Sequence, residues 1–178
     1  MPNLITIFRI LIVPFCFTSL LYYTPQKDHF RIWAFYLFLL GSLTDAVDGL
    51  LARLWKKTTR LGRILDPLAD KFLLLSGYLG LLLAKSYPMV PPLWVIVAIV
   101  FRDLIIVGGL LTLSFTSGPV DARPNFLGKA TTAFQMLTLL SILLLLPTSP
   151  FLWNVTAILT VASGLTYVVR EMARVRKV

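Results

Sequence analysis

Leu40-Gly41-Ser42-Leu43-Thr44-Asp45-Ala46-Val47-Asp48-Gly49-Leu50-Leu51-Ala52-Arg53 and, eight residues on, Gly62-Arg63-Ile64-Leu65-Asp66-Pro67-Leu68-Ala69-Asp70 carry four carboxylates into apolar sequence. They are half of the chain's 8 acidic residues. A carboxylate in hydrocarbon is costly unless it is paired, hydrated or bound to a cation. On a helix, residues three or four apart share a face, so Asp45 and Asp48 project together, as do Asp66 and Asp70. The short connection makes the two helices antiparallel neighbours and lets four carboxylates converge. Four anions at that spacing need compensation, and divalent cations supply it. With no histidine or cysteine nearby, an all-oxygen donor set selects hard ions, Mg²⁺ or Mn²⁺ and by extension Ca²⁺, over zinc. Two such ions sharing a carboxylate suit a diphosphate substrate. The alternative is a set of structural salt bridges to Arg53, Arg63 or Lys71. One pair could be used that way, but four carboxylates beside Gly49, Ala52 and Gly62 argue against it.

Working outward, the 178 residues are 57% hydrophobic and only 14% charged, with a mean hydropathy of +0.83. A soluble domain carries about 25% charge. The composition therefore points to an all-α integral membrane protein forming one unit over residues 1–178. Six apolar runs, about 4–23, 31–53, 66–84, 92–115, 127–146 and 150–169, are long enough to span. Turn-rich or charged segments separate them, and the runs lack the alternation of a β-barrel. No basic leader with a small-residue cleavage site precedes the first run. Cys16 is the single cysteine, which excludes an internal disulfide.

The net charge of +9 gathers at the ends of apolar runs instead of interleaving with aromatics. That suits lipid headgroups and phosphates and argues against nucleic acid. Arg53, Lys56, Lys57, Arg60, Arg63, Arg123, Lys129, Arg170, Arg174, Arg176 and Lys177 flank one side, against Lys27, Arg31 and Lys85 on the other. Both termini and the 54–65 loop are expected in the cytoplasm, with the aspartates at that surface. His29, the lone histidine, falls in the opposite loop. Trp33, Trp94 and Trp153 fall near run ends, as interfacial anchors do.

The string Asp45-x-x-Asp48-Gly49-x-x-Ala52-Arg53, eight residues, then Gly62-x-x-x-Asp66-x-x-x-Asp70 resembles the signature of the CDP-alcohol phosphatidyltransferases at every fixed position. Pro2-Asn3-Leu4-Ile5-Thr6 with Arg9, Leu65 through Lys71, Arg102-Asp103, the length and the six-helix layout extend the likeness. Among the family's branches, the chain most resembles the one acting on glycerol 3-phosphate.

The resemblance implies that Asp45, Asp48, Asp66 and Asp70 hold two Mg²⁺ or Mn²⁺ ions, with Asp66 bridging. Asp70 is then the general base for the acceptor hydroxyl, which attacks the β-phosphorus of CDP-diacylglycerol and releases CMP. The donor site takes in Asp45, Gly49 and Ala52 around the cytidine, and Arg53 at the diphosphate. Thr59 and Gly62 line the nucleotide pocket, and Asn3 and Thr6 close it. Arg102, Lys129 and Arg170 form an anion pocket for the acceptor phosphate. A homodimer in a prokaryotic inner membrane is likewise implied.

Rival acceptors are inositol phosphate, serine and phosphatidylglycerol. Rival classes are an intramembrane prenyltransferase, with differently spaced aspartates, and a small cation transporter, whose carboxylates would spread through the bilayer.

Overall fold

The computed structural model describes residues 2–55, 62–116 and 126–175, with side-chain surroundings given for 6–44, 68–109 and 126–169. Among the described residues the secondary structure is entirely helical: α1 (Pro2–Leu21), a 3₁₀ turn (Pro25–Lys27), α2 (His29–Trp55), α3 (Gly62–Leu83), α4 (Leu93–Thr116), α5 (Phe126–Leu143) and α6 (Ser149–Val175). The six expected apolar runs each become one helix. Phe126–Leu143 and Ser149–Val169 are long and apolar enough to cross a membrane, and Thr6–Leu21 is a shorter apolar helix.

Three boundaries differ from the sequence reading. α3 begins at Gly62 instead of near 66, so Asp66 and Asp70 both lie inside a helix. α6 continues to Val175 because Glu171-Met172-Ala173-Arg174 are strong helix formers, although hydropathy ends near 169. α5 stops early, at Leu143. There Leu145 takes a left-handed φ of 55°, while the amides of Leu146 and Leu145 donate to Ser141 O and Ile142 O, both at 2.9 Å. This is the terminating pattern usually built on glycine, followed here by Pro147.

The chain divides into two compact units, one of Met1–Val90 with Leu139–Pro147 and one of Pro91–Thr138 with Thr148–Val178. In the first, α1 packs on both α2 and α3, and α2 packs on α3. Small residues set the approach: a Cβ on Gly41 would meet Leu73 Cδ2 at 2.6 Å, and one on Gly80 would meet Leu20 Cδ1 at 2.7 Å. The same holds for Gly77 against Leu139. Without a hydrophobic drive between helices in lipid, such close approach is what supplies packing energy. Cys16 is buried and its Sγ lies 3.9 Å from Ala34 O.

At the end of this unit opposite the aspartates, Arg31 donates from Nε and Nη2 to the two Asp28 carboxylate oxygens, each at 2.6 Å. Its Nη1 donates to Leu143 O at 2.8 Å, and Tyr87 Oη donates to Ile142 O at 3.2 Å. The Leu143 carbonyl at the C-terminus of α5 is thus satisfied by a side chain, and Ile142 O accepts a second hydrogen bond beside that from the Leu145 amide. Hydrogen bonding from Arg31 holds the Asp28 carboxyl below the usual carboxylate range, and burial pushes the Tyr87 phenol upward. The Tyr23 and Tyr87 rings lie 4.9 Å apart beside them.

In the second unit α4 packs on α6, with Gly109 facing the Tyr167 hydroxyl. Hydrogen bonds join α5 to α6: Thr138 and Thr156 hydroxyls at 2.7 Å, Thr131 Oγ1 to Leu159 O at 3.2 Å, Thr156 Oγ1 to Phe134 O at 3.2 Å and Gln135 Nε2 to Thr160 Oγ1 at 3.5 Å. All five of these side chains are buried. The outward faces, by contrast, carry Trp33, Trp94, Phe101, Phe151, Leu165 and Val169, exposed by 57–70%. Polar groups inside and apolar groups outside is the arrangement a hydrocarbon solvent demands.

Candidate functional site

Asp45, Asp48, Gly49, Ala52 and Arg53 all fall in the last three turns of α2, and Gly62, Asp66 and Asp70 in the first three turns of α3. Helical backbone through both segments keeps each aspartate pair on one face, at spacings of three and four. α2 packs against α3, which brings the two aspartate-bearing helices into one neighbourhood. The Gly41–Leu73 contact sets their antiparallel register. Carried along both helices, it puts Asp45 level with Ala69 and Asp48 level with Asp66. The side chains of 45–67 lie outside the described residues, as does Thr59 altogether.

Asp70 is partly buried and engaged in a polar interaction. Among the described side chains no three acidic, histidine or cysteine groups come together, since three of the four aspartates fall outside that set. The donor chemistry of the neighbourhood is uniform. The candidate ligands in these segments are carboxylates, His29 is at the far end of α2, and Cys16 is turned toward Ala34. An all-oxygen set with paired helical spacing fits a hard divalent cation and not a thiophilic one.

Of the two α1 residues expected to close the nucleotide pocket, Asn3 lies in the first turn and Thr6 is completely buried. The same helix buries a second polar residue, to which the sequence reading gave no role. Arg9 is 1% exposed, on the same face as Thr6. The signal was present in the sequence, because an arginine inside an apolar run is itself a functional flag.

The acceptor cations lie on α4–α6. Arg102 sits midway along α4 and is 5% exposed. Its Nη1 donates to Asp103 Oδ1 at 2.7 Å, and Nη2 donates to Ser163 Oγ at 2.8 Å and Gly128 O at 3.3 Å. Asp103 therefore holds Arg102 in place. Three partners fix the guanidinium plane, yet its buried Nε has no hydrogen-bond partner among the described residues. A fixed, desolvated fork whose Nε is open is a suitable receiver for a phosphate oxygen. Lys129, in the first turn of α5, is exposed and is not part of that network. Arg170 lies on α6, its side chain outside the described set. Ser163 and Gly128 had no individual signal in the sequence.

Against this geometry the comparisons are direct. The family model described as CDP-alcohol phosphatidyltransferase matches residues 1–169. The chain belongs to the CDP-alcohol phosphatidyltransferase family. It is therefore an enzyme that transfers a substituted phosphate group, and the family works with a divalent metal.

A CMP-forming cardiolipin synthase of Streptomyces coelicolor is 32% identical over 162 residues, covering 88% of this chain and 70% of the relative. A CDP-diacylglycerol–glycerol-3-phosphate 3-phosphatidyltransferase of Aquifex aeolicus is 32% identical over 142 residues, 79% of this chain and 74% of the relative. Another of that name, from Cereibacter sphaeroides, is 37% identical over 111 residues but spans 60% of this chain and 47% of the relative. The expected family is borne out; one of these relatives is named as forming CMP and the other two for CDP-diacylglycerol and glycerol 3-phosphate.

Proposed function

We propose that the chain transfers the phosphatidyl group of CDP-diacylglycerol to glycerol 3-phosphate, forming phosphatidylglycerophosphate and CMP. The carrying observation is the complete aspartate signature on two helices that pack together. Asp45, Asp48, Asp66 and Asp70 would hold two Mg²⁺ or Mn²⁺ ions. When bound, these neutralise the diphosphate and favour departure of CMP. Asp70 takes the proton of the acceptor hydroxyl. The acceptor oxygen then bonds to the β-phosphorus as the bond from that phosphorus to the CMP oxygen breaks.

Around the donor, Gly49 and Ala52 leave room for the cytidine, Arg53 meets the diphosphate, and Asn3, Thr6, Thr59 and Gly62 border the nucleotide. Arg102, with Lys129 and Arg170, receives the acceptor phosphate. Support for Arg102 is the open Nε on a buried, immobilised guanidinium. A phosphorylated acceptor uses that charge, whereas serine does not. Phosphatidylglycerol as acceptor is a second reading, favoured by the Streptomyces relative.

The same proposal has a single membrane domain with six spans and cytoplasmic termini, facing its site to the cytoplasm of a prokaryotic inner membrane as a homodimer. Trp33, Trp94 and Trp153 near the starts of α2, α4 and α6 support the alternation.

The test is CMP release by the purified protein with Mg²⁺ or Mn²⁺ across glycerol 3-phosphate, inositol phosphate, serine and phosphatidylglycerol. Release that needs glycerol 3-phosphate and stops with EDTA is expected. Release with phosphatidylglycerol alone would replace the acceptor, and none with any alcohol would overturn the reading.

A further inference from the structure

α1 buries Thr6, Arg9, Ile12, Cys16 and Leu20, a stripe at helical spacing, while Ile7, Phe8, Ile10 and Leu11 on its other faces are 37–57% exposed. Arg9 therefore does not reach out toward lipid headgroups. It lies inside the first unit, where α1 meets α2 and α3.

Two contacts set the register of α1 on α3: Cys16 with Ser76 and Leu20 with Gly80. Both pairs have the same offset, so the helices run parallel. Carried toward their N-termini, that offset puts Arg9 level with Ala69, beside Asp70, and Thr6 level with Asp66. The complete burial of Ala69 and Leu73 agrees with this line of contact. Side chains on a helix lean toward its N-terminus, which here is the Asp66 end.

An arginine remains charged at any relevant pH, and a desolvated charge needs an anion beside it. Arg9 is engaged in polar contact. The acids of its unit are Asp28, Asp45, Asp48, Asp66 and Asp70. Asp28 is taken by Arg31 at the opposite end, which leaves the four aspartates of the candidate metal centre.

We infer that Arg9 is a built-in cation of the aspartate centre, a positioning residue that holds the α3 carboxylates for metal and substrate. The inference rests on the phosphatidyltransferase reading and adds a fixed positive charge to it. Arg9 offsets part of the repulsion among the carboxylates when no metal is bound, and its charge holds them in place. It also repels the incoming cations, so it sets metal affinity below what four free carboxylates would give.

The test is Mn²⁺ binding to the purified full chain by electron paramagnetic resonance, alongside CMP release at saturating Mn²⁺. For Arg9→Gln, Mn²⁺ should bind about tenfold tighter, the effect of removing a unit charge about 6 Å from a divalent ion in a water-like dielectric. Turnover should nevertheless fall by about tenfold or more, because the carboxylates are no longer oriented. Arg9→Lys should restore wild-type Mn²⁺ affinity and only part of the turnover. A merely structural role would weaken binding and turnover together. Should Arg9→Gln fail to fold, Arg9→Lys alone decides. Wild-type affinity with reduced turnover supports the inference, and parallel loss of both, or change in neither, overturns it. Wild-type protein that binds no Mn²⁺ and releases no CMP would instead overturn the phosphatidyltransferase reading.

Discussion

The two compact units each bury an arginine, and the two arginines are neutralised in different ways. Arg102 has its counter-ion next to it in sequence and two further partners on α5 and α6, at 2.7–3.3 Å. Arg9 has no acid near it in sequence, and its helix register carries it to the aspartates of α2 and α3. One unit buries a cation on the helix that packs beside its aspartate-bearing helices, whose acids leave negative charge for metals. The other fixes a cation through three hydrogen bonds but leaves its Nε open, and so retains positive character for an anion. A transferase that joins a metal-bound diphosphate to a phosphorylated alcohol needs both kinds of centre.

The largest expected effect breaks the acidic side of that contrast. Asp70→Asn keeps shape but removes the base, and CMP release should fall by about 10²–10⁴-fold while CDP-diacylglycerol still binds. Unchanged turnover would remove Asp70 from that role.

Breaking the cationic side should have a smaller and more selective effect. Arg102→Met should raise the KM for glycerol 3-phosphate by about tenfold or more, leaving the donor KM near wild type, with Arg102→Lys in between. Equal changes in both KM values would reassign Arg102 to general support of the unit.

The smallest effect sharpens the contrast between polar groups that hold substrate and those that hold helices. Thr138→Val removes the 2.7 Å hydroxyl pair with Thr156 and should cost about 0.6 kcal/mol, read by thermal denaturation in detergent micelles, with kinetics unchanged. A kinetic defect would bring the α5–α6 polar contacts into the site.

Much of the site was legible because its chemistry is local. Carboxylates three and four residues apart share a helical face whatever the rest of the fold does, so Asp45 with Asp48 and Asp66 with Asp70 could be paired from spacing alone. Asp103 could be matched to Arg102 for the same reason. Gly128 and Ser163 could not be matched to it, because they lie 26 and 61 residues away from Arg102. Thr156, Thr160 and Ser163 do repeat at helical spacing in an apolar run, but spacing does not say which helix they face. The end of α5 was misjudged because hydropathy continues through Leu146 while the backbone turns at Leu145. The end of α6 was misjudged in the opposite sense, since helix propensity outlasts hydropathy there.

The sequence by itself determined the helical class, the apolar runs, the aspartate pairs and the family, because periodicity, hydropathy and short-range spacing are written along the chain. Tertiary structure alone decided that Arg9 faces inward beside α3, that Arg102 keeps its Nε open, and that Arg31 and Tyr87 close the end of α5. Those outcomes depend on helix register and rotation, which small residues such as Gly41 and Gly80 set through close contact between segments distant in the chain.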